Sequence, residues 1–315
     1  MELDRTHVAI RARSFSELAD LSLLVLRRYP QAITIGFFLG ALPWILANGL
    51  LLGWMLGSVE ELGFVDQDAS QAQIRYLWLT SALVFLQTPV AGVFATTYIG
   101  EAIFQRQPPW PRVIRETLRL APRALWTLGV VRGPLPAMLL LAFTWHRPFS
   151  WTVEILALFL LVAWGAALRA FRPFVPEILL LERCPLRKGK TQTLTLGTRS
   201  RLLHLPLGGE LFGRFFLASL LLTILAGVLF FSLAFCAQYL FMTYRWSLGM
   251  LLVVYPLTLW TVAGFATLFR FLSYLDTRIR LEGWEVELLL KAEARRQFGD
   301  ALPPRAAPPD GRRVA

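Results

Sequence analysis

Residues 33–57 read Ile33-Thr-Ile-Gly-Phe-Phe-Leu-Gly-Ala-Leu-Pro-Trp-Ile-Leu-Ala-Asn-Gly-Leu-Leu-Leu-Gly-Trp-Met-Leu-Gly57, without a single charged side chain. A helix needs about 20 apolar residues to cross the hydrocarbon core of a bilayer. The stretch is also longer than the roughly 7–15 residues of a signal-peptide core, and a polar, amphipathic segment of some 30 residues precedes it. It therefore predicts a first membrane span behind an intact N-terminus. Five similar stretches follow: Tyr76–Ile99 with Pro89, Leu125–Trp145 with Pro134 and Pro136, Trp151–Phe171, Phe215–Phe241, and Leu248–Leu272 with Pro256. Proline is tolerated inside a membrane helix but bends it, so kinks are expected in the second, third and sixth.

Composition agrees. The chain of 315 residues is 56% hydrophobic and 17% charged, with a mean hydropathy of +0.53. Soluble domains carry about 25% charged residues, so a soluble globule and a disordered chain are both excluded. The formal net charge is nevertheless +11. Its distribution explains it. Lys and Arg number five before the first span, five between the second and third, nine from the end of the fourth (Arg169) to the start of the fifth, and nine at and beyond the end of the sixth, 28 of 32 in all. Each remaining connection holds one (Arg75, Arg147, Arg245), and Arg132 lies within the third stretch. The basic side of a membrane protein faces the cytoplasm. An all-α protein with six spans and both termini inside is predicted. Residues 1–300 form one transmembrane domain and the Pro- and Ala-rich residues 301–315 a disordered tail.

A shift of 76 residues superposes two basic segments without a gap. Glu101 falls on Glu177, Pro109 on Pro185, Thr117-Leu118 on Thr193-Leu194, Leu120 on Leu196 and Arg123 on Arg199. The N-terminal segment is a weaker third copy, opening on the capping-box pattern Ser14-Phe-Ser-Glu17. The chain thus reads as three units of amphipathic helix plus hairpin. The inside helices are expected at 15–29, 111–124 and 186–203, with a fourth at 284–298. Basic amphipathic helices of this kind suit the anionic inner leaflet, or simply dock on the bundle.

Candidate functional residues are few. Glu101, Glu177 and Asp276 each follow an even-numbered span. They either ring a cytoplasmic vestibule or form ion pairs that lock the units together, with Arg169, Arg172, Arg270 and Arg278 as candidate partners. A carboxylate at a helix C-terminus is disfavoured by the helix dipole, which argues for such partners. Arg132 is a charge at membrane depth, hence a candidate transport residue unless the third helix is short or broken. Glu154, near the outer interface, is a second such charge unless it is simply hydrated. Gly36-x3-Gly40 and Gly49-x3-Gly53-x3-Gly57 offer small-residue tracks for a close helix neighbour. No nucleophile or phosphate-loop motif is present. Cys184, Cys236, His7, His146 and His204 lack metal-ligand spacing, so neither metal nor cofactor is expected. The stacking aromatics of a nucleic-acid site are absent.

Beyond the sixth stretch lies Tyr274-x-Asp276-x-Arg278-x-Arg280-x-Glu282-Gly283-Trp284-Glu285-x-Glu287. This pattern resembles the end of the bacterial membrane domain attached to some glycerophosphoryl diester phosphodiesterases, and of its stand-alone relatives. The likeness in layout covers about residues 14–290. One departure is Leu275 before the aspartate, where the family often has an aromatic. The resemblance implies a multi-pass membrane fold in which Tyr274, Asp276, Arg278, Arg280, Glu282 and Gly283 are a structural signature. It implies no catalysis, because the phosphodiesterase barrel is a separate domain. The expected function is a non-catalytic scaffold for a cytoplasmic or membrane partner. The alternative is a small transporter or lipid-handling carrier using Glu101, Glu177 and Asp276.

Overall fold

The computed structural model describes residues 13–57, 67–103, 108–143, 149–186, 194–241 and 248–282. Among them every regular element is helical. Helix α1 (Phe15–Arg28) opens with the predicted capping box. The Ser14 hydroxyl accepts from the Glu17 amide, and the Glu17 side chain accepts from the Ser14 amide. Tyr29 ends it, and a π-helical turn (Ala32–Phe37) leads into α2 (Phe38–Leu52), followed by α3 (Trp54–Gly57).

The second apolar stretch is not straight. Helices α4 (Gln67–Ala91) and α5 (Val93–Ala102) meet at 41° across Gly92. Pro89 lies within the last turn of α4 and can donate no helix hydrogen bond. A larger break interrupts the third. Helix α6 (Trp110–Ala124) runs on through a π-helical turn (Leu125–Val130) and meets α7 (Pro134–Phe143) at 62°. The corner is Arg132-Gly133, and Gly133 adopts φ +93, a conformation that only glycine takes without strain. The third stretch is therefore a bent pair rather than one straight helix. Its amphipathic helix is continuous with its first half.

Helix α8 (Trp151–Phe171) is followed by α9 (Val175–Leu181), which hydropathy does not foretell. The inside helix expected over 186–203 is shorter: α10 spans Leu196–His204, started by a Thr195 hydroxyl that accepts from the Thr198 amide. The last two apolar stretches belong to longer helices. These are α11 (Gly208–Phe241) and α12 (Tyr255–Glu282), the latter preceded by a π-helical turn over Met250–Val254. Among the described residues four helices are long and apolar enough to cross a membrane, or up to six spans if each bent pair is one. Helix 284–298, Gly283 and the tail lie outside the described residues.

Three packed clusters hold the bundle. One joins α1, α2, α5 and α12 around Phe37, Trp260 and Phe271. A second surrounds Phe174, Ile178, Leu203 and Tyr274. The third gathers Leu52, Leu56, Tyr76, Leu83 and Leu141. Outside these, α8 and α11 turn large apolar side chains outward, among them Phe159, Phe231, Phe235 and Leu240. Such an exposed apolar face is unfavourable in water and fits a helix that faces hydrocarbon.

The two glycine tracks differ. A Cβ on Gly40 would lie 2.1 Å from the Ala91 carbonyl oxygen, and one on Gly36 would lie 3.2 Å from the Ala95 Cα; around Gly49 there is open space. The first track therefore seats α2 against the α4–α5 corner, a partner within the chain. Gly40→Ala is expected to lower stability by about 1–3 kcal/mol, because backbone cannot yield as a side chain does. Gly49→Ala should be neutral or raise stability by up to about 1 kcal/mol. Thermal unfolding of the two variants in the same detergent checks the contrast; equal effects would contradict the packing.

Candidate functional site

The charged residues of the signature all lie on α12, and helix geometry sorts them. Steps of two residues alternate between opposite faces, while steps of four return to the same face. Asp276 and Arg280 therefore share one track, and Tyr274, Arg278 and Glu282 the other.

The first track is a buried knot. The Asp276 side chain is fully buried, with 0% exposure. Its Oδ1 accepts from the Arg13 amide at 2.8 Å, and Oδ2 faces Arg214 at 2.9 Å and Arg280 at 3.1 Å. Glu210 closes the ring, 2.7 Å from Arg214 and 3.1 Å from Arg280, and Arg280 also donates to the Arg13 carbonyl. The segment before α1, the start of α11 and the end of α12 are tied through one carboxylate.

The second track meets α9 and α10. Arg199 grips Glu182 in a fork, at 2.5 and 3.0 Å, and also reaches Glu282. Arg278 pairs with Glu282 at 2.7 Å, and the Tyr274 hydroxyl donates to Glu182 at 2.6 Å. Two-pronged guanidinium–carboxylate bonds are the strongest of their class. The Glu182 bond holds the Arg199 pKa above its ordinary value. Burial pushes the neighbouring Cys184 thiol up, leaving it a poor nucleophile. Beside this network His204 is buried between Ser200 and Phe174. Its Nδ1–H donates to the Ser200 carbonyl at 2.6 Å, and Nε2 accepts from the Phe174 amide at 3.2 Å. Desolvation lowers its pKa to about 4.

The three carboxylates expected at one level are in three different settings. Glu101 closes α5 next to Glu116, whose carboxylate holds Arg112 at 3.1 Å and Arg183 at 2.6 Å. Glu177 is not at a helix C-terminus. It sits in the first turn of α9, where the dipole favours a negative charge, and receives Arg270 Nε at 2.7 Å. Asp276 lies within α12 rather than beyond it. Of the four candidate partners, Arg270 meets one of the three. Arg278 serves Glu182 and Glu282 instead, and Arg169 donates to the Phe85 carbonyl. Arg172 contributes its carbonyl, which receives Arg132. Arg132 thus caps the C-terminus of α8, a favourable place for a cation.

Glu154 does not follow the hydrated alternative. It is buried and takes two hydrogen bonds from Arg75, at 2.6 and 2.9 Å. It joins the first turn of α8 to α4, where water would be a weaker partner for a buried charge.

Sequence reading missed Glu182, Arg199, Glu210 and Arg214, which complete the two tracks. It also missed a buried amide pair: Asn48 and Gln87 each donate to the other at 2.8 Å. Each is the one carboxamide side chain in its apolar stretch, which is the available signal. Among the described residues no group of three or more His, Cys, Asp or Glu is arranged to hold a metal ion. No protein-family model, curated protein or solved structure matches the chain.

Proposed function

We propose that the chain is a six-span integral protein of a bacterial cytoplasmic membrane, with both termini inside, and that it acts as a non-catalytic scaffold for a cytoplasmic or membrane partner. Two bent helix pairs counted as single spans supply the number six, and the positive-inside distribution supplies the orientation. Kinship with the membrane domain of the phosphodiesterases belongs to the same proposal, as does an origin of the units by duplication.

The observation that carries the scaffold reading is the division of labour among the basic residues. Arg199 on α10, Arg214 at the start of α11, and Arg278 and Arg280 on α12 are consumed in bonds to Asp276, Glu182, Glu210 and Glu282 and stiffen one end of the bundle. Arg115, Arg119 and Arg123 on α6 are exposed and form no ion pair among the described residues. A rigid platform with an unspent basic face suits an acidic partner or the anionic leaflet. Replacing all three by Gln is expected to release co-purifying protein in a mild-detergent pull-down without lowering the unfolding temperature. Full retention of every partner by the triple variant would overturn the reading.

The carrier reading rests on a different observation. Glu101 Oε2 and Glu177 Oε2 are buried and lack a hydrogen-bond partner among the described residues. A flux or transfer assay unaffected by Glu101→Gln and Glu177→Gln together would eliminate it.

A further inference from the structure

Helices α4, α8, α11 and α12 line an open-sided cavity of about 410 Å3. Its walls are apolar, built from side chains such as Val84, Phe85, Val162, Leu222, Val262 and Ala266. The lining runs from Leu211 to Ala226 on α11 and from Leu259 to Ser273 on α12, about 21 Å at roughly 1.5 Å of rise per residue. One leaflet of a bilayer has a hydrocarbon depth of about 15 Å, half of roughly 30 Å. The cavity is therefore long enough for an acyl chain and the head group above it.

Only one end of the cavity is charged. Arg169, Arg214, Arg270 and Ser273 line it there. Arg214 is already committed to Asp276 and Glu210. The other three are less fully paired. Arg169 gives a hydrogen bond to the neutral Phe85 carbonyl and lies 3.9 Å from the Phe85 ring, and among the described residues it meets no carboxylate. Arg270 spends Nε on Glu177, but its Nη2 has no partner, and neither has the Ser273 hydroxyl one turn away. Arg132, within electrostatic reach of both Arg169 and Arg270, bonds only the Arg172 carbonyl and leaves Nη1 without a partner. Of these three guanidinium groups only that of Arg270 bonds a carboxylate among the described residues, the one of Glu177. A partly buried cation surrounded by neutral partners is costly, and an anion at this end of the cavity removes that cost.

We propose that this cavity binds one anionic membrane phospholipid, its phosphate against Arg169, Arg270 and Ser273 and an acyl chain along the groove between α11 and α12. The site is independent of the scaffold reading and of the surface helices. Charge selects the phosphate, the apolar length selects the chain, and the two coincide at one opening.

The test uses the full chain, stripped of lipid in mild detergent and titrated in native mass spectrometry. The probes are phosphatidylglycerol, phosphatidylcholine with the same acyl chains, and the corresponding free fatty acid. One phosphatidylglycerol per chain is expected, bound at least about tenfold more tightly than phosphatidylcholine, and it should raise the unfolding temperature. Arg169→Gln should lose about tenfold in affinity, the scale of one charge-assisted hydrogen bond. Ala218→Phe, which fills the groove from α11, should abolish binding while the protein still unfolds cooperatively. Equal affinity for the two phospholipids, or unchanged binding by both variants, would overturn the proposal. So would a fatty acid that displaces phosphatidylglycerol at equal concentration.

Discussion

Asp276→Ala is expected to lower the stability of the folded chain by about 3–5 kcal/mol, the cost of breaking a buried ion network from one side. The carboxylate is fully enclosed and serves three partners on three separate elements: the Arg13 amide, Arg214 and Arg280. Removing it leaves an amide without its acceptor and two guanidinium groups with only Glu210 between them. Asp276→Asn should lose less, because an amide oxygen can still accept from Arg13 while the charge is gone. Glu210→Gln is the control. Its side chain is 40% exposed, and exposed ion pairs contribute only about 0–1 kcal/mol. Thermal unfolding in one detergent ranks the three. The knot account also predicts that the segment before α1 loosens first, seen as faster hydrogen exchange over α1 in Asp276→Ala. A loss below about 1 kcal/mol for the alanine variant would contradict it.

That knot shows how far a sequence can be read. The spacing of Tyr274, Asp276, Arg278, Arg280 and Glu282 is legible as a pattern, and once the segment is known to be helical its two tracks follow from geometry alone. The partners are not legible, because Glu210, Arg214, Glu182 and Arg199 are brought together by tertiary packing from 60 or more residues away, where nothing in the local pattern points to α12. The same holds for Asn48 and Gln87, each of which reads as a tolerated polar residue in an apolar run. Local signals fared better. The Ser14–Glu17 capping box is present as expected, because a cap is decided within four residues. Helix ends outside the apolar stretches were poorly legible. Hydropathy stops at the membrane boundary, whereas α11 and α12 continue beyond it on side chains that satisfy one another. Helix α9 was invisible for the converse reason: its seven residues are too short to register as a span and too apolar to read as an amphipathic surface helix. The bend at Arg132 was anticipated only as an alternative to a charged transport residue. Gly133 decides it, since the positive φ at that corner turns the chain so that Arg132 reaches the end of α8.

Acid should unfold the chain through His204 before it reaches the carboxylates. Above pH 6.5 the imidazole is neutral in both the folded and the unfolded chain and has no effect on stability. Its folded pKa is depressed from 6.5 to about 4, so as pH falls below 6.5 the unfolded chain takes up a proton that the folded chain refuses. Stability is then lost progressively until pH approaches 4. Between pH 6.5 and pH 5 the loss should be about 2 kcal/mol, at roughly 1.4 kcal/mol per unit. The cause is burial first. The positive charges of Arg132 and Arg172 act in the same direction, whereas the Ser200 carbonyl, accepting from Nδ1–H, partly opposes them. Phe174 stacks on the ring at 5.3 Å, and its amide occupies Nε2, the atom a second proton would need. Protonation must therefore break the bond that starts α9, the helix that carries Glu177 and leads to Glu182. In His204→Gln the slope between pH 6.5 and pH 5 should disappear even if overall stability falls, because glutamine does not titrate. A variant that keeps the full acid slope would place the titrating group elsewhere.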